Sequence, residues 1–133
     1  MRTSTLVVED EPLIRMDTVM MLEEAGLDVV DFDNAARAAS YVEQHGRDVA
    51  ALFTDVNLKG NMDGVELACR VAKTTPSVFL LVTSGYYADR PEALPPDIRF
   101  LKKPWLPLDV ITALQNAVSA REEAYSARPT PLN

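Results

Sequence analysis

Ala50-Ala51-Leu52-Phe53-Thr54-Asp55-Val56-Asn57-Leu58 is an apolar run that breaks on a single carboxylate. Strands buried on both faces of a parallel sheet read as continuous apolar runs, and open α/β sheets bind ligands just beyond the carboxyl ends of such strands. A strand over 49–54 therefore delivers Asp55 to the edge where these folds do their chemistry. The segment that follows, Leu58-Lys59-Gly60-Asn61-Met62-Asp63-Gly64, is rich in turn formers and leads into a helix. What the chain does depends on which other residues reach that edge.

Upstream, Thr5-Leu6-Val7-Val8 is a short β-branched run that ends in Glu9-Asp10-Glu11. Pro12 suits the first turn of a helix, with Glu11 read as part of that turn. Apolar residues recur at roughly helical spacing from Leu13 to Ala25, and Gly26 makes the stop. Residues 27–32 form the second strand candidate, and Asp33 or Asn34 can cap a helix over 35–44 that Gly46 ends. Downstream of Asp55, a helix over 65–73 cannot continue past Pro76, and 78–82 is a fourth buried-type strand that ends in Thr83-Ser84-Gly85. Pro91, Pro95 and Pro96 leave room only for a short or irregular helix between 86 and 97. A brief fifth strand over 98–101 ends in Lys102-Lys103-Pro104-Trp105. A last amphipathic helix over 108–120 has Leu108, Ile111, Leu114 and Val118 on one stripe. Residues 1–122 are expected to form one domain, and 123–133, with Pro129 and Pro131, an unstructured tail. The alternation predicts an α/β fold, a five-stranded parallel sheet with helices on both faces.

The bulk properties agree with one globular domain. The chain has 133 residues, 47% of them hydrophobic and 25% charged, which is enough to bury a core. A net charge of −7 argues against direct nucleic-acid binding, which needs a basic face to neutralise phosphates. A lone cysteine, Cys69, excludes an internal disulfide, fits a reducing compartment and reads as a small buried hydrophobe. No apolar run approaches the ~20 residues of a membrane span, and no signal-peptide core opens the chain. A cytoplasmic protein without a membrane partner is the expectation.

In a parallel sheet all carboxyl ends share one edge. That edge would gather Glu9 and Asp10 from the first strand, Asp55 from the third, Thr83 from the fourth and Lys103 from the fifth. Clustered carboxylates repel one another unless they hold protons or share a cation, and an oxygen-only set suits Mg²⁺. A hydroxyl and an ammonium beside Asp55 can hold the oxygens of a phosphoryl group. A carboxylate nucleophile in this company reads as phosphoryl transfer to aspartate.

On these residues the chain resembles the receiver domain of two-component response regulators. Five stretches carry the likeness over residues 3 to about 122: Leu6-Val7-Val8-Glu9-Asp10-Glu11-Pro12, Phe53-Thr54-Asp55-Val56-Asn57-Leu58, Asp63-Gly64, Val82-Thr83-Ser84-Gly85 and Phe100-Leu101-Lys102-Lys103-Pro104. Each is weak alone; in this order, each at a strand end, they are specific. The resemblance implies a flavodoxin-like, doubly wound sheet in the order 2-1-3-4-5. It implies that Asp55 is the phosphoacceptor, that Asp10 binds Mg²⁺ directly and Glu9 through water, and that the Asn57 carbonyl completes the metal site. Thr83 matches the switch hydroxyl, Lys103 the lysine that pairs with a phosphate oxygen, its bond to Pro104 usually cis, and Phe100 the aromatic switch. The implied partners are a histidine kinase or a histidine phosphotransfer protein, a downstream protein, and a second copy of the chain as a dimer.

The chain departs from the family pattern in two ways: the proline-broken segment 86–97 stands where a well-formed helix is usual, and no output domain follows the last helix. The expectation is a stand-alone receiver that signals by protein contact or drains phosphate. Gly85, two residues past Thr83, offers no side chain to shield the phosphoryl group, so a short-lived phosphorylated state is expected. Rival readings fare worse. A metabolite phosphatase using the same aspartate would need a second acid at position 57, where Asn57 stands, and a cap domain. A scaffold without the chemistry would have gaps in the acidic, hydroxyl and lysine set. A dinucleotide-binding or flavodoxin function fails on strand 1, which ends in acid instead of a glycine- or hydroxyl-rich phosphate loop. Trp105, Tyr86 and Tyr87 are candidate partner anchors or local core, and His45 reads as a surface residue.

Overall fold

The computed structural model describes residues 3–126. Five strands, β1 (Ser4–Val8), β2 (Asp28–Phe32), β3 (Val49–Asp55), β4 (Phe79–Tyr86) and β5 (Arg99–Lys103), pair in parallel in the order β2-β1-β3-β4-β5. Four helices alternate with them: α1 (Pro12–Glu24), α2 (Ala35–His45), α3 (Gly64–Thr74) and α4 (Pro107–Ser126). This is the doubly wound, flavodoxin-like sheet in the expected order. The strand order reverses between β1 and β3, which brings the ends of those two strands to the crevice where such sheets bind ligands.

Strand alternation divides the core in two. Leu6 and Val8, Leu52, and Leu80 and Val82 point to one face and pack against Ala38 and Val42 of α2 and Leu67 and Val71 of α3. Val7, Ala51, Phe53 and Leu81 point to the other and pack against Leu22 of α1 and Val110 and Leu114 of α4. The caps follow local chemistry. Asn34 accepts the Arg37 N–H at 2.9 Å at the start of α2, and Asp63 accepts the Glu66 N–H at 2.9 Å at the start of α3. Glu11 is the cap of α1, one residue before Pro12, and not a first-turn residue; its carboxylate accepts the Leu13 N–H at 3.3 Å. Gly26, at φ +90°, turns the chain out of α1.

Several sequence expectations need correction. β4 takes in Thr83, Ser84 and Gly85 and extends to Tyr86, one residue into the segment read as proline-broken. The last helix runs from Pro107 to Ser126, so residues 123–126 are helical where a tail was expected; 127–133 lie outside the described residues. Near this end Arg121 donates its guanidinium to the carbonyls of Gly46, Arg47, Val49 and Ser77 at 2.9–3.3 Å and ties α4 to the amino edge of the sheet. Leu108, placed on the buried stripe, is 68% exposed; Val110 and Leu114 make the seam. In α1 only Leu22 is buried, and Leu13, Ile14, Met16 and Met20 face outward. Between β4 and β5, residues 87–98 form turns and no helix, as the prolines predict, yet Leu94 and Ile98 are buried against the α3 side of the sheet.

Candidate functional site at the carboxyl edge of the sheet

Asp55 closes β3 with its carboxylate 12% exposed. One oxygen, Oδ1, accepts the backbone N–H of Asn57 at 2.9 Å, while Oδ2 lies 3.2 Å from the Lys103 ammonium at the end of β5. Lys103, not Lys102, therefore faces the site; Lys102 stands 3.5 Å from exposed Asp89. The choice follows from the pleat, since successive β5 residues point to opposite faces. The Lys103–Pro104 bond is cis, as the resemblance implies.

The backbone around Asp55 is held from both sides. Val56 donates its N–H to the Thr83 carbonyl at 2.8 Å and accepts from Gly64 N–H at 2.9 Å. Gly64 is required there: a Cβ would stand 1.8 Å from the Asp55 carbonyl oxygen. The start of α3 thus packs directly on the backbone of the acid, which only glycine allows.

The acidic pair comes from the loop after β1. Glu9 is buried and accepts the Glu11 N–H at 3.0 Å. Burial pushes its carboxyl above the ordinary value, and the like charge of Asp55 and a hydrogen bond to Asp10 push the same way against the Glu11 N–H and the Lys103 charge. Asp10 accepts the backbone N–H of Lys59 at 2.8 Å, which clips the β3–α3 loop to the end of β1. Arg15 braces the same loop, donating to the Glu9 carbonyl at 2.9 Å and pairing with Asp31 at 3.1 Å.

Thr83 pairs with Asp55 in the β3–β4 register and is 4% exposed. Glu9, Asp55, Thr83, Lys103 and Trp105 line one small cavity of about 60 Å³. Asn57 reaches the site through its backbone. Phe100 is not brought to this edge: it pairs with Val82, packs against the α3 side of the sheet, and carries the Arg90 guanidinium 6.0 Å over its ring. Trp105 is the residue that reading by motif missed; its indole N–H donates to Thr83 Oγ1 at 2.9 Å. The signal available was that a partly buried tryptophan beside Lys103-Pro104 needs an acceptor for its N–H.

Among the described residues, no three His, Cys, Asp or Glu side chains converge tightly enough to hold a metal by themselves. Mg²⁺ demands less, because it keeps several waters and takes only one or two carboxylates. The all-oxygen set of Glu9, Asp10, Asp55 and the Asn57 carbonyl fits it, and the resistance of Glu9 to ionisation is what a bound cation would relieve.

The chain matches the model of the response regulator receiver domain over residues 5–115. It is 30% identical over 118 residues to the response regulator receiver protein CpdR of Brucella abortus, covering 86% of this chain and 96% of that one. It is also 30% identical over 122 residues to the sensor kinase CckA of the same organism, there spanning 90% of this chain but only 13% of the kinase. The crystal structure of a response regulator receiver protein from Sinorhizobium medicae superposes with a TM-score of 0.79 at 24% identity, over 90% of this chain and 97% of that one, a likeness of fold. Among the described residues no helix is long and apolar enough to cross a membrane. A sheet in the order 2-1-3-4-5, an acid at the end of β3 paired with a lysine from β5, and a family match over most of its length make this chain a member of the response regulator receiver family of two-component signalling.

Proposed function

We propose that this receiver accepts a phosphoryl group on Asp55 from a phosphohistidine of a histidine kinase or phosphotransfer protein, in the cytoplasm. The observation that carries the reading is the pairing of Asp55 with Lys103 beside Thr83 and the Glu9–Asp10 pair. An Asp55 oxygen attacks phosphorus in line as the P–N bond to the donor imidazole breaks. The electron pair stays on that nitrogen, which takes up a proton. Lys103 holds a phosphoryl oxygen, and Thr83 donates its hydroxyl to another. Mg²⁺, held by Asp10 and the Asn57 carbonyl with Glu9 behind a water, would neutralise charge on the transferring group.

The exposed apolar residues Leu13, Ile14, Met16 and Met20 on α1, next to the acidic loop, favour a protein donor over a free metabolite. The similarity to the receiver protein CpdR and to part of the sensor kinase CckA supports a place in a histidine-to-aspartate relay. Whether the domain passes the signal on by contact or drains phosphate depends on partners. Intact-protein mass after incubation with Mg²⁺ and a small phosphodonor tests the chemistry. The native chain gains one phosphoryl mass, and Asp55→Asn or removal of Mg²⁺ abolishes it. No gain from that donor or from a phosphorylated histidine kinase would leave a scaffold function.

A further inference from the structure

Trp105 is the only tryptophan of the chain and has no part in the transfer just described. Its ring meets Phe53 edge-on, 5.9 Å between centroids at 67°, so it is anchored in the α1/α4 half of the core. Its N–H reaches the hydroxyl oxygen of Thr83, a side chain too buried to exchange that bond for water. Trp105 itself is only partly buried, and the chain beyond it is exposed: Leu106 and Leu108 are each 68% accessible. Beside it lies an open cavity lined by Ile14, Met21, Tyr86 and Pro104. Phe100, by contrast, packs on the opposite face of the sheet.

We propose that Trp105 is a positioning residue that latches Thr83 in its unphosphorylated orientation, so that phosphorylation of Asp55 frees the indole and loosens the Trp105–Leu108 segment. The inference rests on the phosphoacceptor reading above. A phosphoryl group on Asp55 brings only acceptor oxygens, and in the proposed switch Thr83 turns about its Cα–Cβ bond, carrying Oγ1 toward them and away from the indole. The released N–H can find water, because Trp105 borders solvent. The change is thereby exported to the α1/α4 side of the sheet, where Leu106 and Leu108 lie, in addition to any movement of Phe100.

The test uses the full chain with Mg²⁺ and beryllofluoride, a stable mimic of an acyl phosphate. The single indole N–H resonance is followed by ¹H–¹⁵N spectroscopy, and the apparent affinity for beryllofluoride is measured for the native chain and Trp105→Phe. Phenylalanine keeps a ring against Phe53 but removes the donor. The indole resonance should shift at saturation, and Trp105→Phe should bind the mimic roughly 2- to 10-fold more tightly, the span of one lost hydrogen bond. A saturated native chain with an unmoved indole resonance, or equal or weaker binding by Trp105→Phe, overturns the latch. Should Trp105→Phe fail to fold, the native resonance decides alone. Failure of the native chain to bind the mimic or to gain phosphoryl mass overturns instead the phosphoacceptor reading on which the latch rests.

Discussion

At Gly64 a side chain would collide with the backbone of the very residue that does the chemistry. The Cβ position lies 1.8 Å from the Asp55 carbonyl oxygen, and backbone atoms cannot swing aside. Gly64→Ala is therefore expected to destabilise the fold by about 1–3 kcal/mol, the range of overpacked cores, and to slow phosphorylation by displacing Asp55. A denaturant midpoint equal to that of the native chain would refute the close approach. The Asp63-Gly64 pair is readable in the sequence as a turn before a helix, but nothing in the sequence says which backbone the glycine admits. Glu9 supports a second prediction. Its carboxyl titrates above the ordinary value in the folded chain, first because it is buried and then because Asp55 is near. Its proton is thus held more tightly folded than unfolded, and the stability this gives is complete below the ordinary carboxylate value and lost as pH rises through the raised one. In buffer free of divalent cations, Glu9→Gln should melt above the native chain at pH 7, with the gap closing in acid. A gap that does not change with pH would contradict that sign.

Among the elements, the segment between β4 and β5 is the most instructive. Pro91, Pro95 and Pro96 make it plain from sequence that no regular helix forms there, because each removes a donor and restricts its predecessor. Hidden from sequence is that Leu94 and Ile98 do a helix's work, filling the core against α3 with 3% and 4% exposure. Ile98→Ala should accordingly cost about 2–4 kcal/mol, as for other buried large-to-small changes. A loss under half a kcal/mol, read from urea unfolding, would mean that the segment merely drapes over the sheet. In α1 and at the start of α4 the error runs the other way. Apolar periodicity predicts a helix correctly but does not say that each apolar residue is inward, and Ile14, Met16 and Leu108 are exposed. Periodicity reports the conformation of a segment, whereas burial depends on what packs across from it.

For the whole molecule, topology made the site legible. A parallel sheet puts every strand's carboxyl end on one edge, so recognising the strands is enough to bring Glu9, Asp10, Asp55, Thr83 and Lys103 to that edge from four distant stretches of sequence. Phe100 and Trp105 lay beyond that logic, because the face on which an aromatic packs is set by tertiary contacts and not by its distance from a motif. The end of the last helix was hidden for the same reason: Arg121, close to it, is tied to backbone carbonyls from two separate segments, residues 46–49 and Ser77. The account as a whole stands on one covalent bond at one residue. After incubation with Mg²⁺ and a phosphodonor, borohydride reduction would convert an aspartyl phosphate to homoserine, and peptide mass mapping would locate it. Homoserine at position 55, dependent on Mg²⁺, is the predicted result. Homoserine at any other aspartate, or none in a sample that has gained phosphoryl mass, would contradict the assignment of Asp55 as the phosphoacceptor.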